Sequence, residues 1–154
     1  VSLENQRLEL LDSGKVLKTY RVSTSKNGAG ESADSFKTPR GRHVIRAKIG
    51  DGSPEGVVFR ARRSTGEIYS DELAREDPDR DWVLTRILWL CGLEPGHNRG
   101  GDVDSQRRYI YLHGTPPIEP MGVAASHGCI RLRDEALLEV FALATPGTPV
   151  WLHD

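Results

Sequence analysis

Apolar residues come in short runs along most of this chain, and turn-forming residues separate the runs. Gln6 to Leu11 and Val16 to Val22 read as strands, and Asp12-Ser13-Gly14 between them reads as a turn, so together they predict a β-hairpin. Ser23 to Ser35 is rich in Gly, Ser, Asn and Ala and predicts a loop, with Lys26 and Asn27 as candidate ligand contacts. Pro39-Arg40-Gly41 predicts a turn that launches a strand over Arg42 to Ile49, with His43 as a structural residue within it. After a glycine-rich loop from Gly50 to Gly56, Val57 to Ala61 predicts a short strand and Thr65-Gly66-Glu67 a turn. Ser70 to Arg80 is charged and reads as irregular, its acidic residues forming a solvated face. Asp71 and Glu72 there are weak candidates for a cation. Trp82 to Cys91 is the most hydrophobic run. Strand and helix both fit it, and the spacing of Leu84, Ile87, Leu88 and Cys91 favours helix for part of it. Cys91 reads as a small buried hydrophobe, and Leu93 to Val103 as loop. Tyr109 to Leu112 predicts a buried strand that ends at His113. Near the end, Leu137, Val140, Phe141 and Ala144 lie on one helical face, with Asp134 as the expected N-cap and Pro146-Gly147 as the stop. Pro149 to Leu152 predicts a closing edge strand.

Many short strands with one or two helices predict a mainly β architecture. The 154 residues suffice for one domain, 1–154, with a substantial core, and neither a repeat nor a linker divides them. The net charge of −1 gives no electrostatic case for a nucleic-acid partner. No run of 18 apolar residues predicts a membrane span, and Val1 to Leu11 has no apolar stretch of signal-peptide type. Two cysteines, Cys91 and Cys129, do not make a disulfide framework.

The chemistry gathers between Tyr109 and Leu132. His113 stands at a strand end, three prolines and a glycine fill the loop from Thr115 to Ala125, and Ser126-His127-Gly128-Cys129 follows. A thiol and an imidazole brought together by a loop are the parts of an activated cysteine nucleophile. The thiolate is the reactive form, which creates an expectation of a lowered thiol pKa. Either His113 or His127 suits the role of base, and spacing alone leaves the two undecided. His113, His127 and Cys129 are also zinc-ligand types. The paired spacings of structural zinc sites are missing, however, so neither a metal nor a cofactor is expected. A binding module without turnover is the third possibility.

His113-Gly114-Thr115 followed by Ser126-His127-Gly128-Cys129-Ile130-Arg131 resembles the L,D-transpeptidase catalytic domain, the YkuD family. Ser23 to Gly28, Lys37 to His43 and Asn98 to Gly101 are similar to its earlier segments, so the resemblance covers nearly the whole chain. It implies a β-sandwich with the cysteine in a groove at one end. It implies Cys129 as nucleophile, His113 as base oriented by the Gly114 carbonyl, and amides around Gly128 and Cys129 as an oxyanion hole. Arg131, His127 and Ser126 become candidate substrate contacts; for Arg131 the alternative is a salt bridge to Asp134 or Glu135. The implied activity is transfer on peptidoglycan stem peptides through a thioester, with release of a D-amino acid. Hydrolysis of the same bond by an L,D-carboxypeptidase or endopeptidase is the alternative. The resemblance also implies a cell-envelope location and covalent inhibition by carbapenems.

Overall fold

The computed structural model describes all 154 residues. The chain begins with the expected hairpin, β1 (Arg7–Asp12) and β2 (Lys15–Arg21), paired antiparallel as a two-stranded sheet. A seven-stranded sheet holds the rest: β3 (Gly41–Ile49), β4 (Val57–Arg60), β5 (Arg63–Ile68), β6 (Val83–Gly92), β7 (Tyr111–Gly114), β8 (Ile130–Leu132) and β9 (Pro149–Leu152). Five of these run in the order β5-β4-β6-β3-β9, β7 also pairs with β6, and β8 pairs with β7. Two α-helices, α1 (Asp71–Glu76) and α2 (Asp134–Leu143), complete the fold.

The core lies between the layers. Leu8, Tyr20 and Val22 from the hairpin side meet Ile45, Leu88, Leu90, Leu112, Ile130 and Leu132 of the large sheet. Leu137, Val140 and Phe141 of α2 close the same cluster, on the face that their spacing predicts. Burying each Leu, Ile, Val or Phe contributes about 1.5–3 kcal/mol, so this cluster is the main support for every strand that carries chemistry.

Several local expectations are corrected. Trp82 to Cys91 is not helical at any point: residues 83–92 form β6, the central strand. Leu88 and Leu90 feed the main core while Ile87 and Trp89 pack on the opposite face, so both faces are apolar and strand alternation disappears. A bulge adds to this. Leu84 opposes Gly114 and Ile87 opposes His113, so Thr85 and Arg86 are inserted between them, with Thr85 at φ 75°. Ser70 to Arg80 is not wholly irregular, because Ser70 caps α1 by accepting a hydrogen bond from the Leu73 amide. Asp134 is not an N-cap. Arg133 holds that position, and Asp134 is the first helical residue, its carboxylate accepting a 2.7 Å hydrogen bond from the Thr85 hydroxyl of the bulge. Thr65-Gly66 lies inside β5, and the reversal from β4 falls instead on Ala61 and Arg62. His43 is structural, fully buried between Ser105 Oγ (2.8 Å) and the Gly41 carbonyl (3.0 Å). Cys91 is half-buried, and both cysteines are free.

Candidate active site

Strand register places the site. β7 and β8 run parallel, with Leu112 opposite Ile130 and His113 opposite Arg131. Side chains alternate along a strand, so His113 and Arg131 share a face with Tyr111, and with Cys129 just ahead of β8. β6 adds Ile87 opposite His113 and Trp89 opposite Tyr111. Leu112, Ile130 and Leu132 point the other way into the main core, which locks the register. His113 and Cys129, remote in sequence, thus share one rigid face, away from the main core.

His113 is buried, and its Nδ1 lies 2.6 Å from the Gly114 carbonyl oxygen. A carbonyl only accepts, so Nδ1 carries the proton and Nε2 keeps its lone pair for a substrate or thiol proton. Gly114 must be glycine for steric reasons. A Cβ there would stand 2.6 Å from the Leu84 carbonyl oxygen and would also meet Asp134 Oδ1.

Cys129 is half-buried, and its sulfur is engaged by backbone groups. The Tyr111 amide donates to Sγ at 3.3 Å, and Sγ donates to the Tyr109 carbonyl at 3.4 Å. The expected lowering of the thiol pKa is reversed: burial pushes the Cys129 thiol up to about 12. The Tyr111 amide opposes that rise, while Asp81 adds to it. Burial also moves His113 below the ordinary imidazole range. The resting pair is therefore neutral thiol and neutral imidazole, because an enclosed site disfavours both charged forms.

The loop ahead of the cysteine is fixed from inside. Ser126 Oγ donates to the Cys129 carbonyl at 2.6 Å and accepts from the Gly128 amide at 3.2 Å. Thr38 Oγ1 donates to the Gly128 carbonyl at 2.9 Å. Gly128 sits at φ 128°, in backbone space that favours glycine. The Gly128 amide is thus engaged by Ser126, whereas the Cys129 amide has no acceptor within the protein.

Arg131 is engaged within the protein through its terminal nitrogens. Its side chain is 5% exposed and pairs with Asp81 (2.8 Å) and Glu119 (3.2 Å), not with Asp134 or Glu135. His127 is exposed and turns its Nδ1 to Asp81 Oδ2 at 3.4 Å. Asp81 thus joins both residues, although nothing in the sequence marks it among the neighbouring acids. Partial burial works against its ionisation, but the charge and hydrogen bond of Arg131 outweigh that and hold its pKa below the usual carboxylate range. Arg108 is a second residue that sequence reasoning missed. It donates to the carbonyls of Gly30, Glu31 and Lys37, tying the early loop to the site. Lys26 and Asn27 lie in that loop, where the Lys26 amide donates to the Ser126 carbonyl at 3.0 Å. No group of three or more His, Cys, Asp and Glu side chains is placed to hold a metal ion.

A thiol, a singly tethered imidazole and an open amide on one sheet face are the parts from which cysteine acyl-transfer sites are made. Residues 1–152 match the L,D-transpeptidase catalytic domain (YkuD), and the chain belongs to that family. Solved structures agree on the fold. An L,D-transpeptidase from Mycobacterium smegmatis superposes with a TM-score of 0.57 at 21% identity, over 99% of this chain and 56% of its own. L,D-transpeptidase 3 from Mycobacterium tuberculosis, in complex with a faropenem-derived adduct, gives 0.56 at 18% identity over 99% and 58%. An L,D-transpeptidase in complex with imipenem gives 0.58 at 21% identity over 98% and 56%. The chain therefore spans little more than half the length of these relatives. A search of curated protein sequences returns no match. No helix is long and apolar enough to cross a membrane.

Proposed function

We propose that this domain is a cysteine L,D-transpeptidase that acts on peptidoglycan stem peptides through a thioester. The observation that carries the reading is the parallel β7–β8 register, which sets His113 and Cys129 on one face with Nδ1 of the imidazole tied to Gly114. Neutral His113 takes the thiol proton at Nε2 as Sγ attacks the carbonyl of the L-configured third residue. The developing oxyanion is held by the Cys129 amide, joined by the Gly128 amide when it leaves Ser126. One such donor stabilises the transition state by roughly 3–4 kcal/mol. The tetrahedral intermediate expels the amine of the D-residue, which receives the proton from His113. An acceptor amine then attacks the thioester, gives its proton to His113, and restores the thiol.

The domain works in the cell envelope, where such peptides lie, and carbapenems acylate Cys129. The structural relative in complex with imipenem supports that last statement, and the one with a faropenem-derived adduct extends it to a penem. The test is mass spectrometry of products from a tetrapeptide stem, with and without an acceptor amine. Cross-linked product with the amine present is the expected result. D-Ala release that no amine captures would make the domain a carboxypeptidase. No release from the tetrapeptide would refute the reading.

A further inference from the structure

The turn between β4 and β5 is made by Ala61 and Arg62, at φ 47° and 64°, both left-handed and neither a glycine. Such residues are costly there, by about 1–2 kcal/mol each, and strain of this kind persists where the surroundings enforce it. What it achieves is the placement of one guanidinium. The central carbon of Arg62 lies 4.9 Å from the Trp89 ring centroid and 4.6 Å from that of Tyr109. Nη1 donates to the Tyr111 hydroxyl at 3.1 Å. The two tyrosines that hold this arginine also supply the backbone groups that contact Cys129 Sγ. Arg62 is therefore half-buried and held on three sides by Trp89, Tyr109 and Tyr111, two residues whose backbones contact the nucleophile being among its holders.

Its charge is not answered within the protein. Arg131 is neutralised by Asp81 and Glu119, and Arg40 by Glu31 and Asp154. Arg108 spends its donors on carbonyls. Arg62 has no carboxylate partner, and Tyr111 is its one side-chain acceptor. A stacked guanidinium with a free donor edge suits bidentate capture of a carboxylate.

We propose that Arg62 is a specificity-determining residue that binds a carboxylate of the donor stem peptide beside Cys129. Trp89, Tyr109 and Tyr111 act as its holders. The identity of the ligand rests on the acyl-transfer reading; the placement of the cation does not. Arg131 is the arginine that sequence alone nominates for this task, and Asp81 and Glu119 already engage both of its terminal nitrogens.

The test separates binding from turnover. Cys129→Ala protein, which cannot cleave the peptide, is titrated calorimetrically with an acidic tetrapeptide stem and with versions in which each carboxylate is amidated in turn. Arg62→Gln in that background should weaken binding of the acidic peptide about 10-fold or more, as expected for a hydrogen-bonded charge pair. The loss should disappear for one amidated peptide, which identifies the carboxylate that is read. Arg62→Lys should keep part of the affinity, because it retains the charge without the fork. In protein with Cys129 intact, Arg62→Gln should raise KM more than it lowers kcat. Equal losses for all peptides would mean that Arg62 only supports the fold, and no loss would also overturn the proposal. Binding through Arg62 without D-Ala release would uphold this inference and remove the transpeptidase reading, whereas turnover indifferent to Arg62→Gln would do the reverse.

Discussion

Alkylation of Cys129 by iodoacetamide, followed against pH, should show a thiol that resists ionisation. With its pKa at about 12, the thiolate fraction at pH 7 is about 10⁻⁵, against about 3% for a free cysteine with pKa near 8.5. Thiolate fraction alone makes alkylation of Cys129 roughly 3,000-fold slower. A more basic thiolate is also a better nucleophile, by about 25- to 60-fold over 3.5 pH units at a Brønsted slope of 0.4–0.5. The net expectation is alkylation on the order of 10²-fold slower than glutathione, with a rate that rises tenfold per pH unit from pH 6 to beyond pH 9. The assay is mass spectrometry of the Cys129 peptide after timed, pH-stepped quenching. A rate that levels off below pH 8, or one faster than glutathione at pH 7, would refute the neutral pair. The thiolate would then be present at rest, with His113 charged beside it.

Three further outcomes follow from the same geometry. Asp81→Asn removes one of the two carboxylates of a nearly buried arginine; because Glu119 remains and Asp81 is 45% exposed, the loss should be about 1–2 kcal/mol, read by urea denaturation at pH 7. Asp81 has a lowered folded pKa, so its contribution is complete above the ordinary carboxylate range and lost as pH falls through the folded value; the stability gap between wild type and variant should close in acid. Gly114→Ala drives a methyl against the Leu84 carbonyl and Asp134 and should cost about 1–3 kcal/mol of stability. By shifting the carbonyl that orients His113, it should also slow acylation about 10²-fold in single-turnover assays. His113→Gln should slow acylation by a carbapenem 10²–10⁴-fold, whereas His127→Gln, which changes an exposed side chain on Asp81, should leave the acylation step within a few-fold of wild type.

The site was more legible than its surroundings. Cys129 and His113 stand out because packing alone rarely places reactive residues next to glycine at the two ends of a proline-rich loop. The hairpin Arg7–Arg21 was legible from the Ser13-Gly14 turn between two strand-like runs, and the face of α2 because it is buried on one side, which leaves a periodic record in the sequence. β6 was not, since a strand covered on both faces has no alternation, and the Thr85-Arg86 insertion imitates helical spacing. The Ala61-Arg62 reversal lacked the glycine or asparagine that usually signals a left-handed turn, while Gly66 nearby offered a false one. Asp81 and Arg108 do their work through partners 30 or more positions away, which no local pattern records.

The parallel pairing of β7 with β8 bears on how the domain can change. Parallel strands cannot be joined by a tight turn, so the segment from Thr115 to Cys129 is an obligatory crossover. Its ends are held by the ladder rather than by its own length. Each doubling of such a loop adds only about 0.6 kcal/mol of closure entropy. Residues inserted between Pro117 and Ala124, a stretch that is largely exposed, would leave His113 and Arg131 in register. The approach to the thiol is thus separable from its placement: a graft confined to the stretch between Pro117 and Ala124 can reshape that approach while His113, Cys129 and the two strands that flank the crossover remain unaltered.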